Sequence, residues 1–353
     1  MTRAEQLREK FSSFADAIIL TDELNQYYIG GFRYTDGYVV VTKESAHIVT
    51  DFRYIEAAET LSPEGFTVIA PKNMAEYIGE VFQKEGVKTV AFEESRITYA
   101  ALESLKGKIS ADFVPSKGMI EEMRRYKDAS EVAKIEAAQK ITDDAFDHIV
   151  KVMTPDMTEI DVAVELEFFM RRAGAEEKSF DTIAVSGAAS SLPHGVPRNV
   201  KLERGFFTMD YGCVVDGYHS DMTRTVVLGK ADDDMKKLYN TVLSAQVAAI
   251  EGAKVGMKCT AVDKIARDII EDAGYHGCFG HGLGHGVGLE IHEEPRFSPK
   301  SCDFFKVGHI ITVEPGIYIA GKYGCRIEDM IYAEADGSVR NLTHAPKELI
   351  ELF

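Results

Sequence analysis

Five ionisable residues in the C-terminal part of the chain constrain the fold most, because each ends or interrupts a short apolar or glycine-rich segment. They are Asp210, Asp221, His285, Glu314 and Glu328. A buried carboxylate costs free energy unless it is paired or bound to a metal ion. One Asp at a strand end is ordinarily a turn residue, but four carboxylates and one imidazole together favour a site for two divalent ions. Two ions that share a water form a hydrolytic centre.

The first two acids lie on either side of a turn sequence. Asp210 follows a mostly apolar run at residues 206–209, and Asp221 follows the turn sequence at residues 215–218. An antiparallel hairpin of this length returns the second acid to the level of the first. We therefore expect the two carboxylates to lie close together.

A glycine-rich segment contributes the imidazole. Glycine occupies every second position from 280 to 288, and His281, His285 and His292 lie in or just after this segment. Glycine permits unusual backbone dihedrals and a close approach of two backbones. Such a segment alone is typical of a flexible linker, but three histidines in it favour a binding site.

These segments, in this order and with these intervals, resemble the pita-bread metallopeptidases, which include methionine aminopeptidase, aminopeptidase P and prolidase. The resemblance rests on the phrases MDYG, HSDMTRT, GHGLGHGVGLEIHE, VEPGIY and CRIED. Residues 180–187 and the following 192–195 resemble the proline-specific branch of that family. The resemblance extends over the whole chain, weakly before about residue 120 and strongly after it.

The resemblance implies an α/β N-terminal domain of the creatinase type at residues 1–120 and an α+β pita-bread catalytic domain at residues 121–353. The residues agree, since the first third alternates short β runs with helical patterns. This residue pattern predicts strands at 17–20, 38–41, 46–49, 66–70 and 89–92, and helices at 1–10, 52–60, 73–84 and 97–107. The hydrophobic pattern changes near residues 115–125, where we place the domain boundary.

The second domain is predicted to repeat an order of helices and strands. One long charged helix is expected over residues 121–140, and a second begins after Thr158, an N-cap residue, and ends near Ala173. Two further helices, at 233–253 and 260–274, separate strand-rich stretches at 180–229 and 278–340. This order fits the internal two-fold duplication that the resemblance implies.

The resemblance also implies a role for each metal ligand. Asp210 would bind one ion, Asp221 and Glu328 would bridge both, and His285 and Glu314 would complete the coordination of the second ion. Manganese is the expected metal, with cobalt or zinc as alternatives. Glu314 would in addition carry a proton to the leaving proline nitrogen.

Further residues are expected to contact the substrate by the same resemblance. His194 and His292 would stabilise the developing oxyanion, while Phe180 and Ile291 would form an apolar pocket for the prolyl ring. His281 would lie in the substrate cleft or directly behind the metal ligands.

Two arginines complete the predicted site. Arg326, two residues before Glu328, resembles an arginine of the family that orients a carboxylate ligand. Arg296 would capture the C-terminal carboxylate of a substrate, which favours dipeptides.

Composition excludes other classes of protein. The 57 acidic against 40 basic residues give a net charge of −17, which argues against a nucleic-acid partner. No apolar run is long enough to span a membrane, and the charged N-terminus lacks the apolar core of a secretory signal. Five cysteines without paired spacing are expected to be reduced thiols in the cytoplasm.

The sequence and the resemblance together predict a cytoplasmic exopeptidase that hydrolyses the Xaa-Pro bond at the N-terminus of peptides, as aminopeptidase P does. The resemblance also implies a homodimer. The alternative is a prolidase restricted to Xaa-Pro dipeptides. Methionine aminopeptidase is disfavoured by the large N-terminal domain, and a non-catalytic peptide-binding relative by the presence of all five ligands.

Overall fold

The chain forms two structural units, each with its own hydrophobic core. A computed structural model describes all 353 residues, Met1–Phe353. The first unit comprises Met1–Arg124 and the second Arg125–Phe353. None of the helices combines the length and the apolarity that crossing a lipid bilayer requires.

The first unit is a mixed sheet covered by helices. Its strands are β1 (Ala17–Leu20), β2 (Gly37–Thr42), β3 (Ala46–Thr50), β4 (Thr67–Ile69), β5 (Thr89–Phe92) and β6 (Asp112–Pro115). Its helices are α1 (Arg3–Phe11), α2 (Glu23–Gly30), α3 (Ile55–Leu61), α4 (Met74–Glu85), α5 (Tyr99–Lys106) and α6 (Met119–Arg124). The strand order is β4-β3-β2-β1-β5-β6, with the β2–β3 hairpin antiparallel as predicted. All four residues of β1 are buried, as expected for a strand inside a covered sheet.

The sequence pattern does not predict two elements of this unit, α2 and β6. Helix α2 buries the polar side chains of Asn25 and Gln26, so its apolar periodicity is weak. Its ends are nevertheless encoded. The Asp22 side chain accepts a hydrogen bond from Asn25 N, and Gly31 ends the helix at φ +85°. Strand β6 lies at the sheet edge and is only partly buried, which explains why it has no clear signal.

The second unit contains two long and two shorter α-helices. They are α7 (Ala129–Val152), α8 (Glu159–Arg172), α9 (Asp233–Gly252) and α10 (Cys259–Asp272), and Gly187–Ser191 forms a 3-10 turn. The strands before α9 are β7 (Glu177–Lys178), β8 (Ile183–Ser186), β9 (Gly205–Tyr211), β10 (Cys213–Val215), β11 (Tyr218–His219) and β12 (Met222–Leu228). Those after α10 are β13 (Gly284–Gly286), β14 (Glu293–Phe297), β15 (Ile310–Val313), β16 (Gly316–Ile319), β17 (Tyr323–Arg326), β18 (Asp329–Ala333), β19 (Val339–Asn341) and β20 (Glu351–Leu352).

The two halves of this unit have matching architecture, as the predicted duplication requires. In the first half, α7 and α8 pack on the sheet β20-β12-β9-β8. In the second half, α9 and α10 pack against strands of the sheet β14-β13-β15-β18-β19. The shorter helix of each pair, α8 or α10, has 14 residues.

The predicted single helix over residues 121–140 is wrong. Helix α6 ends at Arg124, and α7 begins at Ala129. The reason is a capping box: Asp128 accepts hydrogen bonds from the backbone of Ser130 and Glu131, and Glu131 accepts one from the backbone of Asp128. The expected start of α8 is confirmed, since Thr158 accepts a hydrogen bond from Asp161 N at 3.1 Å.

Candidate metal centre

Two adjacent antiparallel strands position the first two acids. Strand β9 carries Asp210, strand β12 begins one residue after Asp221, and Tyr211 pairs with Met222 in their register. The intervening chain turns back at Asp216, which adopts the left-handed conformation with φ 46°. The predicted hairpin is therefore present, and it returns Asp221 to the level of Asp210.

Backbone proximity explains the glycines around His285. A Cβ added at Gly284 would lie 1.8 Å from the carbonyl oxygen of Thr312, and one at Gly286 would lie 2.7 Å from that of Glu294. None of the glycines between 280 and 288 has a positive φ. Glycine is thus required here for close approach of strands β14 and β15 to β13, and not for left-handed backbone.

The remaining acids follow or precede strands of the second half. Glu314 comes directly after β15, and Glu328 lies between β17 and β18. His285 Nε2 lies 3.5 Å from Asp221 Oδ2 and 3.5 Å from Glu314 Oε1. Donor atoms of Asp221, His285 and Glu328 all lie within 4.8 Å of one another. These three residues could hold one ion between them.

The imidazole of His285 is held in its neutral form. Burial, followed by the neighbouring His292, lowers the pKa of His285 to about 3. The Nδ1 atom lies 3.1 Å from the carbonyl oxygen of Gly286 and donates its proton there. Nε2 is then unprotonated and points toward the acids, as metal coordination by imidazole requires.

The buried carboxylates of the site can all ionise only if positive charge lies close to them. Burial, followed by the repulsion of neighbouring acids, raises the pKa of Asp221 and Glu328 well above the usual range. Burial raises the pKa of Glu314 to about 8, although Arg326 opposes this shift. Asp210 Oδ1 is buried without a hydrogen-bond partner. A set of oxygen and nitrogen donors with four potential negative charges fits two divalent cations, which would remove the repulsion and satisfy that oxygen.

Arg326 connects two of the acids. Its Nη2 donates to Asp210 Oδ2 at 2.6 Å, and its Nε donates to Thr223 Oγ1 at 2.9 Å. Thr223 donates in turn to Glu328 Oε2 at 2.7 Å. The Tyr318 hydroxyl accepts from Arg326 Nη1 at 2.8 Å and lies 3.1 Å from His281 Nε2. Arg326 therefore orients Asp210 directly and Glu328 through one hydroxyl.

Several of these supporting residues were missed from the sequence. Thr223 follows Asp221 by two positions, and Thr312 precedes Glu314 by two. Residues two apart on a strand share a face, so this spacing was the available signal. Thr312 accepts a hydrogen bond from His285 N at 3.0 Å and donates one to Glu314 Oε1 at 3.3 Å, which links these two candidate ligands.

A buried ion pair between Lys127 and Glu293 was also not predicted from the sequence. Lys127 Nζ donates to Glu293 Oε2 at 2.9 Å, and both side chains are almost fully buried. Glu293 Oε1 also accepts from the backbone of Glu290 at 3.2 Å. The pair therefore supports the segment that carries Ile291 and His292. Nothing in the separate sequence contexts of Lys127 and Glu293 connects them.

All twelve residues predicted for the site line one cavity of about 880 Å³. The cavity therefore brings the five candidate ligands together with Arg326 and the six residues predicted to contact substrate. The rings of His285 and His292 lie 4.4 Å apart between centroids. Arg296 pairs with His285 in the register of β14 and β13, and its side chain is 49% exposed. It is therefore accessible to a ligand in the cavity.

Comparison with known proteins identifies the class to which this fold and site belong. Residues 133–335 match metallopeptidase family M24, and residues 3–126 match the creatinase/prolidase N-terminal domain. The chain therefore belongs to metallopeptidase family M24. The predicted enzyme class and the predicted two-part fold are confirmed.

Similar proteins match along nearly the whole chain. The Xaa-Pro dipeptidase of Pyrococcus horikoshii is 40% identical over 95% of this chain and 94% of that protein. The structure of a Xaa-Pro dipeptidase from Bacillus anthracis is 39% identical, covers 99% of this chain and 100% of its own, and superposes with a TM-score of 0.94. An X-Pro aminopeptidase structure from Thermotoga maritima is 31% identical, with coverage of 99% and 100% and a TM-score of 0.93. The resemblance to the proline-specific branch is thereby confirmed.

Removal of divalent ions should destabilise the protein, and more so at higher pH. Glu314 has a raised pKa of about 8, so the folded, chelated protein keeps a proton that the unfolded chain releases near pH 4.5. That contribution to stability is present below about pH 4.5 and is lost as pH rises through about 8. We expect manganese to raise the Tm of chelated protein by about 5–10 °C at pH 8.

Thermal unfolding between pH 5 and 8, with chelator and with manganese, measures this effect. In chelated protein, Glu314→Gln should weaken the fall of Tm with pH, because the proton-releasing group is gone. Equal Tm values with chelator and with manganese at pH 8 would contradict the metal assignment.

Replacement of Arg326 should weaken metal binding without unfolding the chain. Arg326→Lys keeps the charge but cannot contact Asp210, Thr223 and Tyr318 together. We expect manganese affinity, measured by calorimetric titration, to fall about 10–100-fold. Arg198→Lys is the matched control, because Arg198 also binds a carboxylate at 2.6 Å, that of Glu159, but does not line the cavity. An equal loss in both variants would argue against a specific role for Arg326.

Proposed function

We propose that this metallopeptidase hydrolyses the bond before proline in Xaa-Pro dipeptides. The observation that carries the proposal is one cavity lined by the five candidate metal ligands and an accessible arginine. The Xaa-Pro dipeptidases of Pyrococcus horikoshii and Bacillus anthracis, which match along nearly the whole chain, support it. The sequence had favoured an aminopeptidase of the P type, with the dipeptidase as alternative, and these relatives favour the alternative.

The chemistry divides between the metals and the protein. Two divalent ions held by Asp210, Asp221, His285, Glu314 and Glu328 would polarise the scissile carbonyl and lower the pKa of water toward neutrality. Manganese is the ion we propose, with cobalt and zinc as alternatives. We propose that the Glu314 carboxylate would accept a proton from the attacking water and pass it to the leaving proline nitrogen.

Neutral imidazoles would assist on the substrate side. Burial lowers the pKa of His292, and the nearby Arg296 lowers it further, so that the ring is uncharged near neutral pH. A neutral imidazole still has one N–H, which can donate to the oxyanion that forms on the scissile carbonyl. His194 lines the same cavity and is proposed to share this role.

Arg296 is the proposed determinant of peptide length. Its Nε lies 3.4 Å from Glu294 Oε1, a long contact between two half-exposed side chains. A substrate carboxylate could replace this weak contact with a bidentate one. In a dipeptide that carboxylate belongs to the proline itself, one residue from the scissile bond.

A Xaa-Pro aminopeptidase is the second candidate. The Thermotoga maritima X-Pro aminopeptidase superposes almost as well as the dipeptidase from Bacillus anthracis. The half-exposed Arg296 also leaves that side of the cavity open to solvent. The predictions of a homodimer and of a cytoplasmic location stay predictions.

Hydrolysis of Ala-Pro and Ala-Pro-Ala, after chelation and re-addition of manganese, distinguishes these functions. We expect metal-restored cleavage of Ala-Pro and little cleavage of Ala-Pro-Ala. Comparable cleavage of both would make the protein an aminopeptidase. Cleavage of neither would contradict proline specificity.

Arg296→Met should affect dipeptides selectively. We expect kcat/KM for Ala-Pro to fall about 10–100-fold, because a charge-assisted pair to the substrate carboxylate is lost. Any residual activity on Ala-Pro-Ala should change far less. Lys178→Met is the matched control, since Lys178 lines the cavity but is already paired with Asp181 at 3.0 Å. Equal losses for both peptides would remove Arg296 from this role.

A further inference from the structure

One wall of the cavity is a stretch of chain that belongs to no helix or strand. Residues 193–197, between the 3-10 turn at Gly187–Ser191 and strand β9, all line the cavity. We call residues 193–197 the wall segment. His194, which is proposed to donate to the oxyanion, lies in it. Because the wall segment has no strand or helix hydrogen bonds of its own, other contacts must hold it in place.

The imidazole of His194 depends on the wall segment for its position. The side chain is exposed and makes no hydrogen bond to another residue. The rings of His281 and His285 differ in this respect, since the Nδ1 atom of each lies within hydrogen-bond distance of a backbone carbonyl oxygen. The backbone that carries His194 therefore determines where its ring lies.

Arg326 anchors the first end of the wall segment. Its Nη1 donates to the carbonyl oxygen of Pro193 at 3.1 Å, while its Nη2 donates to Asp210 Oδ2 at 2.6 Å. One guanidinium thus fixes the start of the wall segment relative to a candidate metal ligand. Gly195 adds a close packing contact with β8, because a Cβ at this position would lie 2.8 Å from Val185 Cγ1.

A buried carboxylate anchors the other end. Glu159 is the first residue of α8, and its side chain is fully buried. Its Oε2 accepts from the backbone N and from Nε of Arg198, both at 2.9 Å, and its Oε1 accepts from Arg198 Nη2 at 2.6 Å. Arg198 directly follows the wall segment, so that both its backbone and its guanidinium are fixed to one carboxylate.

This carboxylate is ionised and fully hydrogen-bonded. The backbone N and the hydroxyl of Ser186 donate to Glu159 Oε1 at 2.7 and 2.8 Å. Burial raises the pKa of Glu159, but the Arg198 side chain and the donors of Ser186 outweigh burial and leave the pKa below its usual value. A buried charge that loses its ion-pair partner is costly, so removal of the guanidinium should displace the chain around Glu159.

We propose that Arg198 is a positioning residue, whose ion pair with Glu159 holds the wall segment so that the His194 imidazole reaches the oxyanion. Arg198 does not line the cavity, and its side chain contacts Glu159, Ser186 and Glu203 but none of the candidate metal ligands. Its effect therefore passes through His194 and not through metal binding. This inference rests on the proposed dipeptidase function, in which His194 has that role.

The first test measures Ala-Pro hydrolysis by manganese-loaded Arg198→Met. We expect kcat to fall about tenfold, because a displaced donor stabilises the oxyanion less well. KM should change by less than about threefold, since the oxyanion forms only in the transition state. Arg198→Lys keeps the charge but cannot make both side-chain bonds, and should recover part of the lost kcat. Manganese affinity, measured by calorimetric titration, should stay at the wild-type value in both variants.

A double-mutant cycle shows whether Arg198 acts through His194. His194→Ala should lower kcat by about 100-fold, as expected for loss of an oxyanion donor. Addition of Arg198→Met to that variant should lower kcat by less than a further factor of about two, because no imidazole remains to be positioned. If the two losses multiply instead, Arg198 acts on the structure in general and the inference is wrong.

Lys201→Met is the matched control. Lys201 lies three residues beyond Arg198 in the same connection and pairs with Asp156 at 2.8 Å, but both side chains are exposed and neither lines the cavity. Exposed ion pairs contribute little to stability, so this variant should keep the wild-type kcat. If Arg198→Met does not fold, Arg198→Lys serves in the same cycle with a smaller expected loss, because the Arg198 side chain is 41% exposed and tolerates replacement.

Three further results would overturn the inference. An unchanged kcat in Arg198→Met, with Ala-Pro cleaved by the wild type, removes Arg198 from this role and leaves the dipeptidase function intact. A manganese affinity that falls as much as kcat places the effect of Arg198 at the metal centre. Failure of the wild type to cleave Ala-Pro overturns the proposed function and the role of Arg198 together.

Discussion

The second unit depends on the close burial of carboxylates around one cavity. Burial, followed by repulsion among neighbouring carboxylates, holds the pKa values of Asp221, Glu314 and Glu328 above the usual range. Arg326 supplies one positive charge to this group. Without further cations, the folded chain keeps protons on acids that prefer to ionise, and this opposes folding. Metal binding and folding are therefore expected to be coupled in this protein.

Both halves of the unit supply carboxylates or other residues to this charged site. The first sheet contributes Asp210, and Asp221 directly precedes its strand β12. The second sheet contributes His285, and Glu314 directly follows its strand β15. Arg224 of the first half hydrogen-bonds to the second half. It donates to the carbonyl oxygen of Glu328 and, at 2.8 Å, to Asp329 Oδ1. A site built between two sheets can keep both halves of a ligand set rigid, because each side chain is anchored by a strand ladder.

The sequence allowed the candidate site to be predicted more fully than the fold around it. Acids at strand ends and a histidine among glycines are local sequence signals. They stand out because burial of a charged group costs free energy unless the group is paired or bound to a metal ion. Thr223, Thr312 and the Lys127–Glu293 pair act through contacts between residues distant in sequence, so only the folded chain identifies them. The fold predictions failed where polar residues are buried, as in α2, or where a capping box divides one charged stretch, as at Asp128.

The arrangement of the site also explains why recognition of peptide length can change without a change in the candidate metal centre. Arg296 lies on β14 and pairs with His285 of β13 in the strand register. Its side chain nevertheless hydrogen-bonds to Glu294 and to none of the five candidate ligands. A substitution at Arg296 is therefore expected to alter recognition of a substrate carboxylate while the hydrogen bonds that orient the candidate ligands stay in place.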